Sequence, residues 1–310
     1  MKEFEFAMGC TLCPRKCGAD RDTGVGFCSV KNEIRVARAA LHMWEEPVIS
    51  GVRGSGTIFF AGCNLRCVFC QNRRISRSAA GRVYSESELA DAMLTLRDEG
   101  AHNINLVTPT HYSRELAAVL ESVKPKLNGL PIVWNSGGYE SLETLKMLDG
   151  LVDVYLPDVK YFSPELSAKY SSAPDYFEVA MEALGEMHRQ TGDPRIEAER
   201  IALEGGGAGE ISLIKKGVIA RHLVLPGCRR DSIRVVEEIA ERFAPDSLKL
   251  SIMRQYTPDF VDRERYPELS RRVTSFEYDS VVKRAAELGF EGYVQSAESA
   301  TKDYTPDFNE

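Results

Sequence analysis

The sequence predicts an α/β protein, a partial, open (β/α)6 barrel carrying a cysteine-rich extension at its N-terminus. Three observations predict it. From residue 57 onward, short apolar runs alternate with amphipathic stretches through six strand–helix units. Each run ends in a polar loop, and one of these loops carries three cysteines. Ahead of them, four more cysteines sit in a glycine-punctuated stretch too short to form a core of its own. Six units are too few for the closed eight-fold barrel. The domains expected are residues 1–50, the cysteine-rich extension; 51–300, the partial barrel; and 301–310, a tail.

In order, residues 34–50 read as a packed connection, with His42, Trp44, Glu45 and Glu46 the only candidates there for an active-site wall. Residues 57–61 are β-branched and aromatic, a buried strand. Ser85-x-x-Glu88 is a capping box opening a helix with Leu89, Met93 and Leu96 on one face, closed by Gly100. Strands follow at 104–107, 131–135, 152–156, 218–225 and 248–253, with a short last one at 292–294. Helices fall at 114–123, 141–148, 176–189, 231–243 and 276–288. Residues 194–216, with Gly205, Gly206 and Gly207, read as a flexible loop or lid, since no Lys-Ser/Thr follows to make a phosphate loop. The polar loops then gather at the C-terminal strand edge, where sites in such sheets lie.

The chain has 310 residues, 43% of them hydrophobic, and a formal net charge of −7. No block of like charge stands out, and the acidic balance argues against a nucleic-acid partner. The first residues are acidic where a secretion signal is basic, and no apolar run reaches membrane-spanning length. Eight cysteines in tight spacings then read as metal ligands in a reducing cytoplasm, not as disulfides.

The strand at 57–61 runs through Gly62 into Cys63-x3-Cys67-x2-Cys70, with Phe69 before the last cysteine. Three thiolates on one short loop suit three corners of a [4Fe-4S] cubane and leave the fourth iron open. A zinc ion borrowing a fourth cysteine is the plainer alternative. Cys10, Cys13, Cys17 and Cys28 form a second, four-thiol group suited to zinc or to an auxiliary iron–sulfur cluster.

The first of these motifs resembles the signature of the radical S-adenosylmethionine superfamily. Within it, Gly62-Cys-Asn-Leu-Arg-Cys-Val-Phe-Cys-Gln-Asn72, Asp158-Val-Lys160 and Val224-Leu-Pro-Gly227 resemble the branch containing the activating enzyme of pyruvate formate-lyase. The resemblance implies a cluster at Cys63, Cys67 and Cys70 whose open iron binds S-adenosylmethionine, and a 5′-deoxyadenosyl radical that abstracts a substrate hydrogen. It also implies cofactor contacts at Phe69, Asn72, Thr108, Thr110, Asn135, Asp158, Lys160 and Tyr256. The sequence departs from that branch where Thr108-Pro-Thr110 replaces Gly-Gly-Glu and where Tyr256 replaces a histidine. Three readings follow. One is an activase for a glycyl-radical enzyme. Another is a radical epimerase or other modifier of a small molecule such as a sugar, with Cys228 facing the cavity as catalytic hydrogen-atom donor. The third is an iron–sulfur electron carrier. The enzyme readings require a flavodoxin- or ferredoxin-type reductant.

Overall fold

The computed structural model describes residues 9–202, 208–296, 298 and 308. Ten strands form its sheet: β1 (Arg35–His42), β2 (Ser55–Phe60), β3 (Arg82–Val83), β4 (Ile104–Val107), β5 (Ile132–Ser136), β6 (Val154–Pro157), β7 (Arg195–Ala202), β8 (Ala208–Leu223), β9 (Lys249–Met253) and β10 (Gly292–Val294). Their order across the sheet is β10-β9-β8-β6-β5-β4-β2-β1-β3, with β7 paired to β8 alone. Strands β2, β4, β5, β6, β8 and β9 run parallel, the six expected, and β10 adds a seventh beside β9. The fold is therefore an open α/β sheet of barrel type with helices on its outer face.

Period-two alternation divides each strand between two environments. Ile58, Phe60, Leu106, Trp134, Tyr155 and Ile252 belong to the large outer core beneath the helices. The opposite row, Phe59, Val107, Asn135, Arg221, Leu223 and Met253, faces an inner lumen. The lower lumen is packed by Val133, Val154, Leu156 and Ile219. The helices follow their sequence signals. Glu86–Asp98 begins at the expected capping box, the Glu88 amide donating to Ser85 Oγ at 3.2 Å and the Ser85 amide to Glu88 Oε2 at 2.8 Å. Such a cap is worth about 1 kcal/mol.

Two stretches differ from their sequence reading. Residues 34–50 are no passive connection. They supply β1, antiparallel to β2, and then a short helix, Pro47–Ser50, whose Val48 and Ile49 join Val133, Val154 and Ile219 in plugging the lumen. Residues 194–216 are not a free loop on either flank. They form the antiparallel β7–β8 hairpin, in register from Ile196↔Ile214 to Ala202↔Ala208. Main-chain pairing outweighs the glycine-rich composition, and Gly209 itself pairs with Ile201; Gly205, Gly206 and Gly207 lie outside the described residues, as does most of 301–310. A further helix, Pro164–Ser171, is capped by Ser163 Oγ, which accepts from the Leu166 amide at 3.2 Å.

Candidate active site

The chain leaves β2 through Gly62, at φ +86°, a backbone region that suits glycine. A Cβ there would stand 2.7 Å from the Cys28 carbonyl oxygen, and the next amide, Cys63, donates to that same oxygen at 3.3 Å. The N-terminal extension thus packs directly against the three-cysteine loop. Arg21 strengthens the contact, donating to the His111 carbonyl at 2.5 Å while lying 3.9 Å from Cys10 Sγ. Gly62→Ala is expected to cost roughly 2 kcal/mol through backbone strain and this clash. It should lower the melting temperature and the iron retained per chain together. Unchanged values for both would show that the two segments are not coupled here.

Cys63, Cys67 and Cys70 all line one cavity of about 430 Å³ at the C-terminal edge of the strands. The Leu65 amide donates to Cys63 Sγ at 3.4 Å, Ser171 Oγ to Cys67 Sγ at 3.0 Å and Ser76 Oγ to Cys70 Sγ at 3.5 Å. Burial pushes the Cys63 thiol up to about 12, and the neighbouring Cys67 and Cys70 sulfurs add to it. Burial likewise raises Cys70, again with Cys67 contributing. Cys63 and Cys70, both raised by burial and by the sulfur of Cys67, ionise readily only around a strongly cationic centre, so the donor set fits a cluster. Among the described residues no three His, Cys, Asp or Glu side chains are gathered closely enough to hold a single metal ion.

The same cavity receives Phe69, Asn72, Thr108, Asn135, Asp158 and Lys160. Asp158 and Lys160 form an ion pair at the end of β6. Burial opposes the Lys160 ammonium, yet Asp158 and then Cys67 hold its pKa above the ordinary lysine value. Tyr176 braces this turn by donating to the Asp158 carbonyl at 2.7 Å, while its oxygen accepts from the Lys160 amide at 3.0 Å. Thr108 adopts φ +58°, strained for a β-branched residue, with its amide held by the Asn135 carbonyl at 2.8 Å. Such strain concentrates at functional sites.

Three predicted site residues lie elsewhere. Thr110 is fully buried beside the cavity, its hydroxyl donating to Glu140 Oε1 at 2.6 Å. It therefore supports the fold behind Thr108. Tyr256 donates to the Leu269 carbonyl at 2.5 Å and packs its ring 6.3 Å from Phe69. It sets the position of Phe69 from behind. Cys228 does not face the cluster cavity. Pro226 and Gly227, the latter at φ +79°, turn the chain away after β8. Cys228 then becomes the N-cap of helix Arg229–Arg242 and opens on a separate cleft beside Ser163, Arg271 and Glu277. Burial pushes its thiol up to about 12.

One further group lines the cavity. Arg221 donates from Nε to Glu46 Oε1 at 2.8 Å and from Nη2 to both Glu46 and Glu45. Glu45 Oε1 also accepts from Asn105 Nδ2 at 2.9 Å and Asn135 Nδ2 at 3.2 Å. This group forms the floor of the cavity, directly above the Val48–Ile49 plug. Burial opposes the Glu46 carboxylate, but the Arg221 charge and hydrogen bonds hold its pKa below the usual range.

Residues 57–204 match the Radical SAM superfamily. An uncharacterized protein of Methanocaldococcus jannaschii is 30% identical over 288 residues, which cover 89% of this chain and 74% of that protein. Among solved structures, methylornithine synthase gives a TM-score of 0.49 at 17% identity, covering 76% of this chain and 66% of that one. The glycoside hydrolase domain of PelA from Pseudomonas aeruginosa gives 0.33 at 14% identity, covering 54% and 58%. Neither structural likeness bears on chemistry. The sequence match begins at Thr57, the strand that delivers the three cysteines, and takes in the Asp158–Lys160 turn. The chain belongs to the radical S-adenosylmethionine superfamily.

Proposed function

We propose that this enzyme reductively cleaves S-adenosylmethionine and removes a hydrogen atom from a small molecule held in the lumen. One observation carries the reading: the three cysteines and the Glu45–Glu46–Arg221 floor open into the same cavity. Cys63, Cys67 and Cys70 would hold a [4Fe-4S] cluster, which would supply the electron for reductive cleavage of the sulfonium bond. The chain's own residues bind and orient. Asp158 offers a carboxylate to the methionine ammonium, and Lys160 offers donors to its carboxylate. Phe69 supplies a buried surface beside the cysteines, and Asn72, Thr108 and Asn135 supply polar edges.

An activase reading is favoured by a different observation. Met43, Trp44 and Val294 line the cavity yet are 44%, 54% and 62% exposed, an apolar lip that suits a peptide loop. The epimerase reading with Cys228 as donor loses its basis, because that thiol opens on another cleft. Cleavage requires a reductant of flavodoxin or ferredoxin type, which fits a cytoplasmic setting. No described helix is long and apolar enough to cross a membrane. Cys10, Cys13, Cys17 and Cys28 complete the proposal as a second site, for zinc or iron–sulfur. The sulfurs of Cys17 and Cys28 flank Gly26, at 3.3 and 3.4 Å from where its Cβ would stand.

Anaerobic reconstitution with iron and sulfide, then reduction, is expected to give 5′-deoxyadenosine from S-adenosylmethionine. No cleavage by a fully reconstituted, reduced enzyme overturns the reading. Deuterium passing from a small molecule into 5′-deoxyadenosine supports the first form of it. A glycyl radical detected by electron spin resonance in a partner enzyme assigns the activase form instead.

A further inference from the structure

We propose that the cleft between helices Arg229–Arg242 and Ser275–Glu287 is the docking surface for a small acidic one-electron donor protein, whose electron enters through Cys67. This places the reductant that the function proposed above requires, and rests on that reading. The cleft has a volume of about 770 Å³ and shares no lining residue with the cluster cavity. Four guanidinium groups line it, those of Arg229, Arg230, Arg234 and Arg271, against two carboxylates, Asp231 and Glu277. Part of this charge is spent locally. Arg271 donates from both Nη atoms to Glu277, at 2.7 and 2.8 Å, and Arg234 pairs with Glu237 and Glu238 on its own helix. Asp231 accepts the amides of Phe162 and Ser163, at 3.1 and 2.7 Å. Arg229 and Arg230 pair with no carboxylate among the described residues.

Both arginines stand in the first turn of a 14-residue helix, where the dipole disfavours cations. The Arg229 guanidinium lies 5.0 Å from the ring centroid of Phe276, which is 71% exposed. Arginine and exposed aromatic rings are the side chains in which the cores of protein interfaces are enriched. An acidic surface would relieve both arginines. On a chain of net charge −7, the local field of this cleft would also fix where such a partner lands. The lining of the cleft leads inward to the cysteine loop. Phe162 and Ser163 line it, and the residue before them, Tyr161, is buried. The Tyr161 hydroxyl donates to Ser171 Oγ at 2.8 Å, and Ser171 Oγ donates to Cys67 Sγ at 3.0 Å. The Val68 amide donates to the Tyr170 carbonyl at 2.9 Å, a second bond from the same helix end to the cysteine loop. A partner seated in the cleft is thus separated from the lumen yet two hydrogen bonds beyond Tyr161 from a cluster ligand. That arrangement suits the passage of an electron and not of a substrate atom. The donor loses one electron, the cluster held by Cys63, Cys67 and Cys70 gains it, and no bond is made or broken.

An acidic flavodoxin, titrated calorimetrically into the reconstituted enzyme, tests this. Arg229→Ser combined with Arg230→Ser is expected to weaken flavodoxin binding at least about tenfold. It should slow cluster reduction by limiting reduced flavodoxin, followed by stopped-flow absorbance, by a similar factor. Reduction by dithionite, which needs no docking surface, should keep its rate, and iron per chain should not change. Wild-type binding should weaken as salt rises, a measurement that stands whether or not the variant folds. Four results overturn the inference. Wild-type binding is indifferent to salt, the double variant binds flavodoxin as tightly as the wild type, or it slows reduction by dithionite as much as by flavodoxin. The fourth is binding abolished by Arg73→Ser with Arg74→Ser, beside the cysteine loop, and kept by the Arg229 and Arg230 pair of substitutions. Flavodoxin binding that depends on Arg229 and Arg230, without any 5′-deoxyadenosine formed under dithionite, would instead sink the radical reading and leave the docking surface in place.

Discussion

Cys63→Ala is expected to abolish cleavage of S-adenosylmethionine, by roughly 10³-fold or more, about 4 kcal/mol in barrier. The reason lies in the donor count. Cys63, Cys67 and Cys70 are three thiols around one buried space, and removal of one leaves too few to hold a cubane against loss or rearrangement. Iron per chain and visible absorbance should fall with activity. The metal that remains reports the second site directly, since Cys10, Cys13, Cys17 and Cys28 are untouched. Residual zinc assigns that site as a structural ion, and residual iron with sulfide assigns an auxiliary cluster. Cys228→Ala serves as the contrast, because its thiol opens on a different cleft and its loss should leave iron content and cleavage as they are. A Cys63→Ala enzyme that keeps full iron and full cleavage would refute the placement of the cluster.

What the sequence showed of this molecule was whatever local order encodes. The parallel strands are short apolar runs because both faces are covered, and such runs are readable without a partner. The cysteine loop is readable because its three ligands fall within eight residues of one another. The floor was hidden because its pairing is not local. Arg221 and Glu46 are 175 residues apart, and nothing near either predicts the other. Cys228 was misplaced for a related reason. The end of β8 was located well, but the turn at Pro226 and Gly227 decides which side of the sheet the next residue serves, and composition does not encode that direction. In the hairpin, the cross-strand hydrogen bonds that order β7 and β8 are made between segments on either side of a glycine-rich stretch, and composition does not encode that pairing.

Arg221→Met is expected to be the most destabilising single change in the lumen. It leaves Glu45 and Glu46 buried, with side-chain exposures of 9% and 6%, facing each other without their shared cation. Removing one partner from such a group costs about 3–5 kcal/mol. The pH dependence should also reverse. In the wild-type protein the Glu46 pKa is depressed by Arg221, so the pair stabilises above the ordinary glutamate range and that stability is lost as pH falls through the folded value. Without the guanidinium, burial and carboxylate repulsion both raise the folded-state pKa values. The variant is then most stable below the ordinary glutamate value and loses stability as pH rises through the raised one. Chemical denaturation on both sides of the ordinary glutamate value of 4.5 should therefore show the wild type losing stability as pH falls below it and the variant losing stability as pH rises above it. Glu45→Gln and Glu46→Gln added to Arg221→Met should recover part of the loss and flatten the variant's profile, because the orphaned charges are gone. If Arg221→Met keeps the wild-type midpoint and pH profile, the floor is not an ion-paired unit in solution.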